Sequence, residues 1–300
     1  MKYLKKLAYS KKAAPYIFLT PFILSFLIFN LYPIISSFLM SFQKLKGFNS
    51  FTWVGLNNYK NLWNKDFFTA VKTTTLVTAV ECVVLTVFPL ILAVVLNTGL
   101  FKRKNFFRAV FFIPTLASTI VAGIVFRMLF SDSGNAFMNS LLNVFGIESQ
   151  NFMLNYKWSI ILMVVLSTWK SAGLYMIYFL SGLQTIPRDV YESAEIDGAG
   201  EFKKLLYITI PRILPSVAVM FLLSISQLFL SNFDQVYNLY NNFVLNTGDV
   251  LSTYIYRISL GGGGEFELST AANLLLNVMG LIALVVTNRF VKKLDVMGIF

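Results

Sequence analysis

The chain is predicted to be an all-α integral membrane protein with six transmembrane helices. Three observations carry that expectation. Of the 300 residues, 56% are hydrophobic and 16% aromatic, with 30 Phe among them. Only 13% are charged, about half the roughly 25% of a soluble globular protein, and too few to cover so much apolar surface in water. Six stretches also reach the roughly 20 apolar residues needed to cross about 30 Å of hydrocarbon. They are residues 13–42, 73–100, 110–129, 159–184, 213–233 and 268–288.

The first stretch is too long and apolar for a cleaved signal peptide, and Pro15, Pro21 and Pro33 within it predict a kinked or interrupted helix. Before it, Met1–Lys12 reads as a basic amphipathic segment lying on the membrane surface, with Tyr3, Leu4 and Leu7 toward lipid. Asn57–Phe68, carrying Tyr59, Leu62, Trp63, Phe67 and Phe68, reads as a second interfacial helix on the opposite side.

Basic residues in the connecting segments set the orientation. If the N-terminus is cytoplasmic, 16 Lys and Arg fall on that side and 7 on the other, with Arg127 and Lys170 inside spans. Both termini are therefore expected in the cytoplasm. The net charge of +11 is then an anchor against anionic lipid rather than a nucleic-acid surface. The chain has no His and a single cysteine, Cys82, which excludes histidine-dependent catalysis, disulfides within the chain and cysteine metal clusters. No phosphate-binding P-loop sequence occurs, and Gly261–Gly264, with neither Lys nor Ser/Thr following, reads as a flexible outer loop.

Spans four and five are joined by IPRDVYESAEIDGAGEFKKLLYITIPRILP, residues 186–215. At about 25 residues the connection is far longer than two antiparallel helices need. Pro187 suits the first turn of a short helix, Asp189 and Glu192 favour its positive end, and Gly198 suits a left-handed cap at its close. Phe202, Leu205, Leu206 and Ile208 then recur at helical spacing beside Lys203 and Lys204, and Pro211 is expected to end that second helix. Two short helices meeting at a glycine make a knob suited to a groove in another protein.

In this loop the sequence resembles the permease subunits of binding-protein-dependent ABC importers. The signature is Glu192-Ser193-Ala194-Glu195-Ile196-Asp197-Gly198-Ala199-Gly200, with Phe202 and then Ile208-Thr209-Ile210-Pro211. Pro33, residues 54–59, Phe107-Arg108 with Pro114, and residues 252–257 extend the likeness over most of the chain, toward the carbohydrate-importing, maltose-type branch. The resemblance implies the type I importer permease architecture. It also implies a heterodimer with a second permease, two copies of a cytoplasmic ATPase that bind the ATP and Mg, and an extracellular solute-binding protein. This chain would hold no cofactor or metal and have no catalytic residue of its own. It implies that residues 186–211 are the coupling loop of a single permease domain, 13–300, in a bacterial cell membrane. Glu192 would contact the ATPase, Gly198 would permit the bend, Asp197 would cap or pair at the turn, and Ala194 and Ala199 would allow close approach. Ser193 stands where the family commonly has alanine.

Charged side chains inside a membrane are functional candidates by default. Glu81 and Arg127 fit either a structural bridge, in which Glu81 pairs with Lys170 or Arg127, or a functional role. Trp169, Lys170, Ser171 and Tyr175 form a mid-membrane patch of aromatic and polar residues that fits a sugar passage. Gln227, Asn232, Asp234 and Gln235 gather near the outer end of span five. The resemblance points to Asn232 as a sugar contact, and the alternative is that these amides bond to the partner permease. Asn241–Asn246 departs from the glycine-rich run common in relatives, which suggests longer or branched glycans. The expected function is thus import of a carbohydrate, an oligosaccharide, powered by ATP hydrolysed on partner subunits. The rival is a self-sufficient secondary carrier coupled to ions through Glu81.

Overall fold

A computed structural model describes residues 14–46, 50–98, 102–239 and 249–293, except the side chains of Ala14 and residues 226–232. Among the described residues, five helices are long and apolar enough to cross a membrane, and six crossings result if one sharply bent pair counts as a span. The residues up to Trp63 with Arg257–Leu274 form one compact unit, and Asn64–Tyr256 with the residues from Leu275 onward form a second.

In the first unit, α1 (Ala14–Phe26), a π-helical turn at Leu27–Leu31 and α2 (Tyr32–Met40) follow one another as a single apolar rod. From Pro15 to Ile35 its side chains are exposed all round, Phe18 by 82% and Phe29 by 73%, as expected of a helix whose solvent is lipid. The interruption expected from the prolines is the π turn, which ends two residues before Pro33. The wider turn accommodates a residue that has no N–H and whose ring would crowd the preceding carbonyls.

A two-stranded antiparallel ribbon follows, β1 (Gln43–Lys46) with β2 (Ser50–Trp53), in the register Gln43 to Trp53. Hydropathy reading does not foresee it, because four-residue strands give too short an alternation. Asn58 Nδ2 donates to the carbonyls of Ser41 and Gln43, each at 2.8 Å, and Phe42 stacks on Trp53 with centroids 5.6 Å apart. The expected interfacial helix 57–68 is corrected: α3 (Asn57–Leu62) stops after six residues. Phe67 and Phe68 belong to the next helix, because Asn64 caps it with its side chain.

In the second unit, α4 (Lys65–Asn97) is capped where Asn64 Oδ1 accepts from the Phe67 N–H at 2.8 Å, with Asp66 in the first turn. Its 33 residues run to about 50 Å. The third span is also corrected. Residues 110–129 are not one straight helix but parts of α5 (Lys104–Leu116) and α6 (Thr119–Leu129), bent by 98°. Pro114 and the extended Ala117 and Ser118 explain the break. After α7 (Phe137–Val144), α8 (Tyr156–Gln184) starts at Asn155, whose side chain accepts from the Lys157 N–H. Helix α8 packs on α4, α5 and α11 and is the central strut. Leu162, Met163, Leu166, Met176, Phe179 and Leu183 form its buried face.

The loop helices are α9 (Arg188–Ile196) and α10 (Glu201–Lys204), followed by a second π turn, Leu205–Thr209, and α11 (Ile210–Leu239). Pro211 does not end a helix, contrary to expectation. The π turn closes two residues before it, as before Pro33, and the chain continues into α11. Helices α12 (Leu251–Ser259) and α13 (Phe266–Lys293) follow, and Val291 of α13 packs with Ala218 and Leu222. Between them the glycines make a compact turn rather than a loose loop: Gly264 N–H donates to Ser259 O, and Glu265 N–H to Ile258 O. The segments Met1–Lys12 and Asn241–Asn246 lie outside the described residues.

Candidate functional site

The knob forms as the residue pattern requires. Helix α9 ends at Asp197, and Gly198 follows with φ of +74°, a conformation that L side chains rarely adopt. Gly198 N–H bonds Glu195 O and Ala199 N–H bonds Ala194 O, closing the cap. Glu192, Ser193, Ile196 and Asp197 are exposed on α9, and Phe202 is 71% exposed on α10. Ala194 and Ala199 are half-buried. Asp197 leaves its carboxylate in solvent, with no side-chain bond among the described residues, so the left-handed glycine supplies the cap. Ser193 turns its hydroxyl back to the Asp189 carbonyl at 2.8 Å. Pro211 lies apart from this surface, in the first turn of α11.

The opposite face of α9 is fastened down. Tyr191 OH lies 2.9 Å from Thr209 Oγ1, and Glu195 accepts from Lys204 Nζ at 2.6 Å. Lys204, 93% of whose side chain is buried, also meets Glu201 at 2.6 Å.

Within the membrane-spanning helices, a polar seam joins three elements. Ser167 on α8 donates to Glu81 of α4, which is fully buried, and stands 2.8 Å from Gln235 Oε1 on α11. Of the two readings of Glu81, the bridge to Lys170 or Arg127 is absent among the described residues; Ser167 donates to the carboxylate, and Arg127 is exposed. Lys170 and Ser171 are half-buried, and the Lys170 carbonyl accepts from Thr115 Oγ1 at 2.9 Å. Asp234 is exposed, and the side chains of Gln227 and Asn232 lie outside the described residues.

The four residues expected to form one patch on α8 do not share a face. Trp169 packs on Phe126, centroids 5.6 Å apart, and lines an apolar recess of about 430 Å³ with Phe88, Phe111 and Pro114. Tyr175 instead opens onto a cavity of about 700 Å³ between α8 and α11. Tyr178, Ser181, Thr185 and Ser216 line it as well, among Leu174, Pro215, Val219, Met220 and Leu223. Aromatic rings beside hydroxyls suit a polyhydroxylated solute. Sequence reading missed Tyr178, Ser181, Thr185 and Ser216, although Tyr178, Ser181 and Thr185 follow one another at spacings of three and four residues, which signals a common helix face.

Long lipid-exposed helices, a broken third span and a projecting two-helix knob define a membrane-embedded transport subunit, with no catalytic constellation required of it. The family of binding-protein-dependent transport system inner membrane components matches residues 86–296, and the chain belongs to that family. It is 46% identical over 258 residues to the arabinooligosaccharides transport system permease protein AraP of Bacillus subtilis (strain 168), covering 85% of this chain and 82% of that protein. It is 30% identical over 273 residues to the lactose transport system permease protein LacF of Rhizobium radiobacter, covering 88% of this chain and 89% of that one. Among solved structures it resembles a chain of a bacterial ABC transporter involved in the import of the acidic polysaccharide alginate. The TM-score there is 0.86 at 25% identity, over 98% of this chain and 99% of the other. The chain is therefore a permease subunit and not an enzyme, and the secondary carrier coupled through Glu81 is set aside.

Proposed function

We propose that this chain is one of two permeases in an ATP-driven importer of an oligosaccharide. A second permease completes the heterodimer, two copies of a cytoplasmic ATPase bind ATP and Mg, and an extracellular solute-binding protein delivers the sugar. Residues 13–300 act as one permease domain with both termini in the cytoplasm, where the basic segments meet anionic lipid. The knob around Glu192–Gly198 docks into the ATPase through Glu192, Ser193, Ile196, Asp197 and Phe202. Closure of the ATPases on ATP pulls the knob, and α8 and α11, between which it is strung, move with it. The sugar path runs along these two helices, past Lys170, Ser171 and Gln235 to the cavity at Tyr175. Trp169, Gln227, Asn232 and Asp234 are further candidates to contact sugar or the partner permease.

The observation that carries this reading is the Gly198 cap, which holds α9 and α10 together as a preformed projection with its apolar and acidic face in solvent. A Val at Gly198 must take a left-handed backbone, costing on the order of 1–2 kcal/mol, enough to distort the knob without unfolding the rest of the subunit. In proteoliposomes holding the natively purified complex and its binding protein, Gly198→Val should abolish uptake of arabino-oligosaccharide while the complex still hydrolyses ATP. Full ATP-dependent uptake by that variant would refute the role of the loop.

A further inference from the structure

We infer that Lys204 is the positioning residue of the coupling knob, the strut that makes α9 and α10 move as one body. The inference rests on the loop's coupling role proposed above. Its ammonium is bonded at 2.6 Å to Glu195 on α9 and at 2.6 Å to Glu201 on its own helix. The two bonds differ in what they join. The bond to Glu201 spans one helical turn and leaves the relation between helices unchanged. The bond to Glu195 crosses the Gly198 bend and ties the two arms together.

Burial is lopsided as well. The Lys204 side chain is 7% exposed, whereas Glu195 and Glu201 are 62% and 84% exposed. A buried cation is thus held in place by carboxylates that water also solvates. Tyr191, one helical turn before Glu195, makes the second tie, to Thr209 Oγ1, and Thr209 Oγ1 in turn bonds the Lys204 carbonyl at 3.3 Å. Glu195 and Tyr191 share the inner face of α9, while Glu192, Ile196 and Asp197 take the outer one. Lys204 therefore fixes which face of α9 is offered to a partner, without touching that partner itself. Its bonds end where the π turn Leu205–Thr209 begins, so the strut couples the knob to the base of α11.

A methionine fills the same space without the charge, and the two carboxylates it leaves unpaired, Glu195 and Glu201, are 62% and 84% exposed and stay solvated by water rather than stranded in the interior. The test uses the natively expressed complex carrying Lys204→Met, Lys204→Arg, Glu195→Gln or Glu201→Gln. Hydrogen exchange is read over residues 188–197, and arabino-oligosaccharide uptake per ATP hydrolysed is measured in proteoliposomes. Lys204→Met and Glu195→Gln should speed exchange in that segment and lower uptake per ATP several-fold. Lys204→Arg should restore both readings, and Glu201→Gln, which leaves the cross-bend bond, should keep both. Equal damage from Glu195→Gln and Glu201→Gln would overturn the strut, since charge alone would then matter. Unchanged coupling in Lys204→Met, with coupling lost in Gly198→Val, would also overturn it and leave the loop's role standing. Unchanged coupling in both would overturn the strut and that role together. Should Lys204→Met fail to assemble, Glu195→Gln decides, and normal exchange and coupling in it would overturn the strut.

Discussion

Gly173 lies against the backbone of Phe111: a Cβ built on it would stand 2.1 Å from the Phe111 carbonyl oxygen. Helix α8 can therefore approach α5 only through a hydrogen atom, and nearby Thr115 bonds the Lys170 carbonyl across the same crossing. Gly173→Leu should destabilise the subunit by at least the ~1–3 kcal/mol of an overpacked core. The obstacle is backbone, which cannot rotate away. The check is the melting temperature of the purified complex, where an unshifted value would contradict the crossing.

The connection between α6 and α8 is organised by Asn139, which is fully buried. Its Nδ2 donates to the carbonyls of Ser133 and Gln150, at 3.2 and 3.1 Å, and its Oδ1 accepts from the Gln150 N–H at 2.9 Å. Phe152 and Met153 of the same connection pack into the core with Val77, Phe126 and Leu162. Asn139→Ala leaves buried backbone groups unpaired and should cost about 1–3 kcal/mol. Limited proteolysis should then cut within 131–155 faster than in the parent. Asn139→Asp should be cut at least as fast as Asn139→Ala, since it keeps the bond from the Gln150 N–H but sets a buried carboxylate against the Ser133 and Gln150 carbonyls.

The seam from Glu81 through Ser167 to Gln235 ties α4, α8 and α11 at one level. Interhelical bonds of this kind are worth about 1–2 kcal/mol in membranes. Ser167→Ala should lower the melting temperature accordingly, and Glu81→Gln, which still accepts from Ser167, should lower it less. Uptake by Glu81→Gln should stay driven by ATP and independent of a proton gradient.

The cavity between α8 and α11 offers a direct trial of the sugar path. Ser181→Phe and Val219→Trp fill it from opposite walls. Each should reduce oligosaccharide uptake while the subunit still assembles. Normal uptake with the cavity filled would place the path elsewhere.

What the sequence revealed follows from how local each feature is. Gly198 was legible because a glycine after an amphipathic turn is a local signal, and its φ of +74° follows from neighbours only a few residues away. The coupling-loop signature was equally local. The 98° break between Leu116 and Thr119 was hidden because hydropathy averages over Ala117 and Ser118, although Pro114 marked the place. Partners were invisible where they are distant: Ser167 is 86 residues from Glu81, and no periodicity relates the two. Trp169 is a different failure, since its six-residue offset from Tyr175 already puts them on different sides of a helix.

The most direct measurement is purification of the natively expressed, tagged chain in mild detergent, with mass spectrometry of what co-elutes. The expected result is a second permease and an ATPase at two copies per heterodimer, with ATP hydrolysis stimulated by a sugar-loaded binding protein. A chain that elutes alone, or only with itself, and still moves sugar into vesicles without ATP would contradict it.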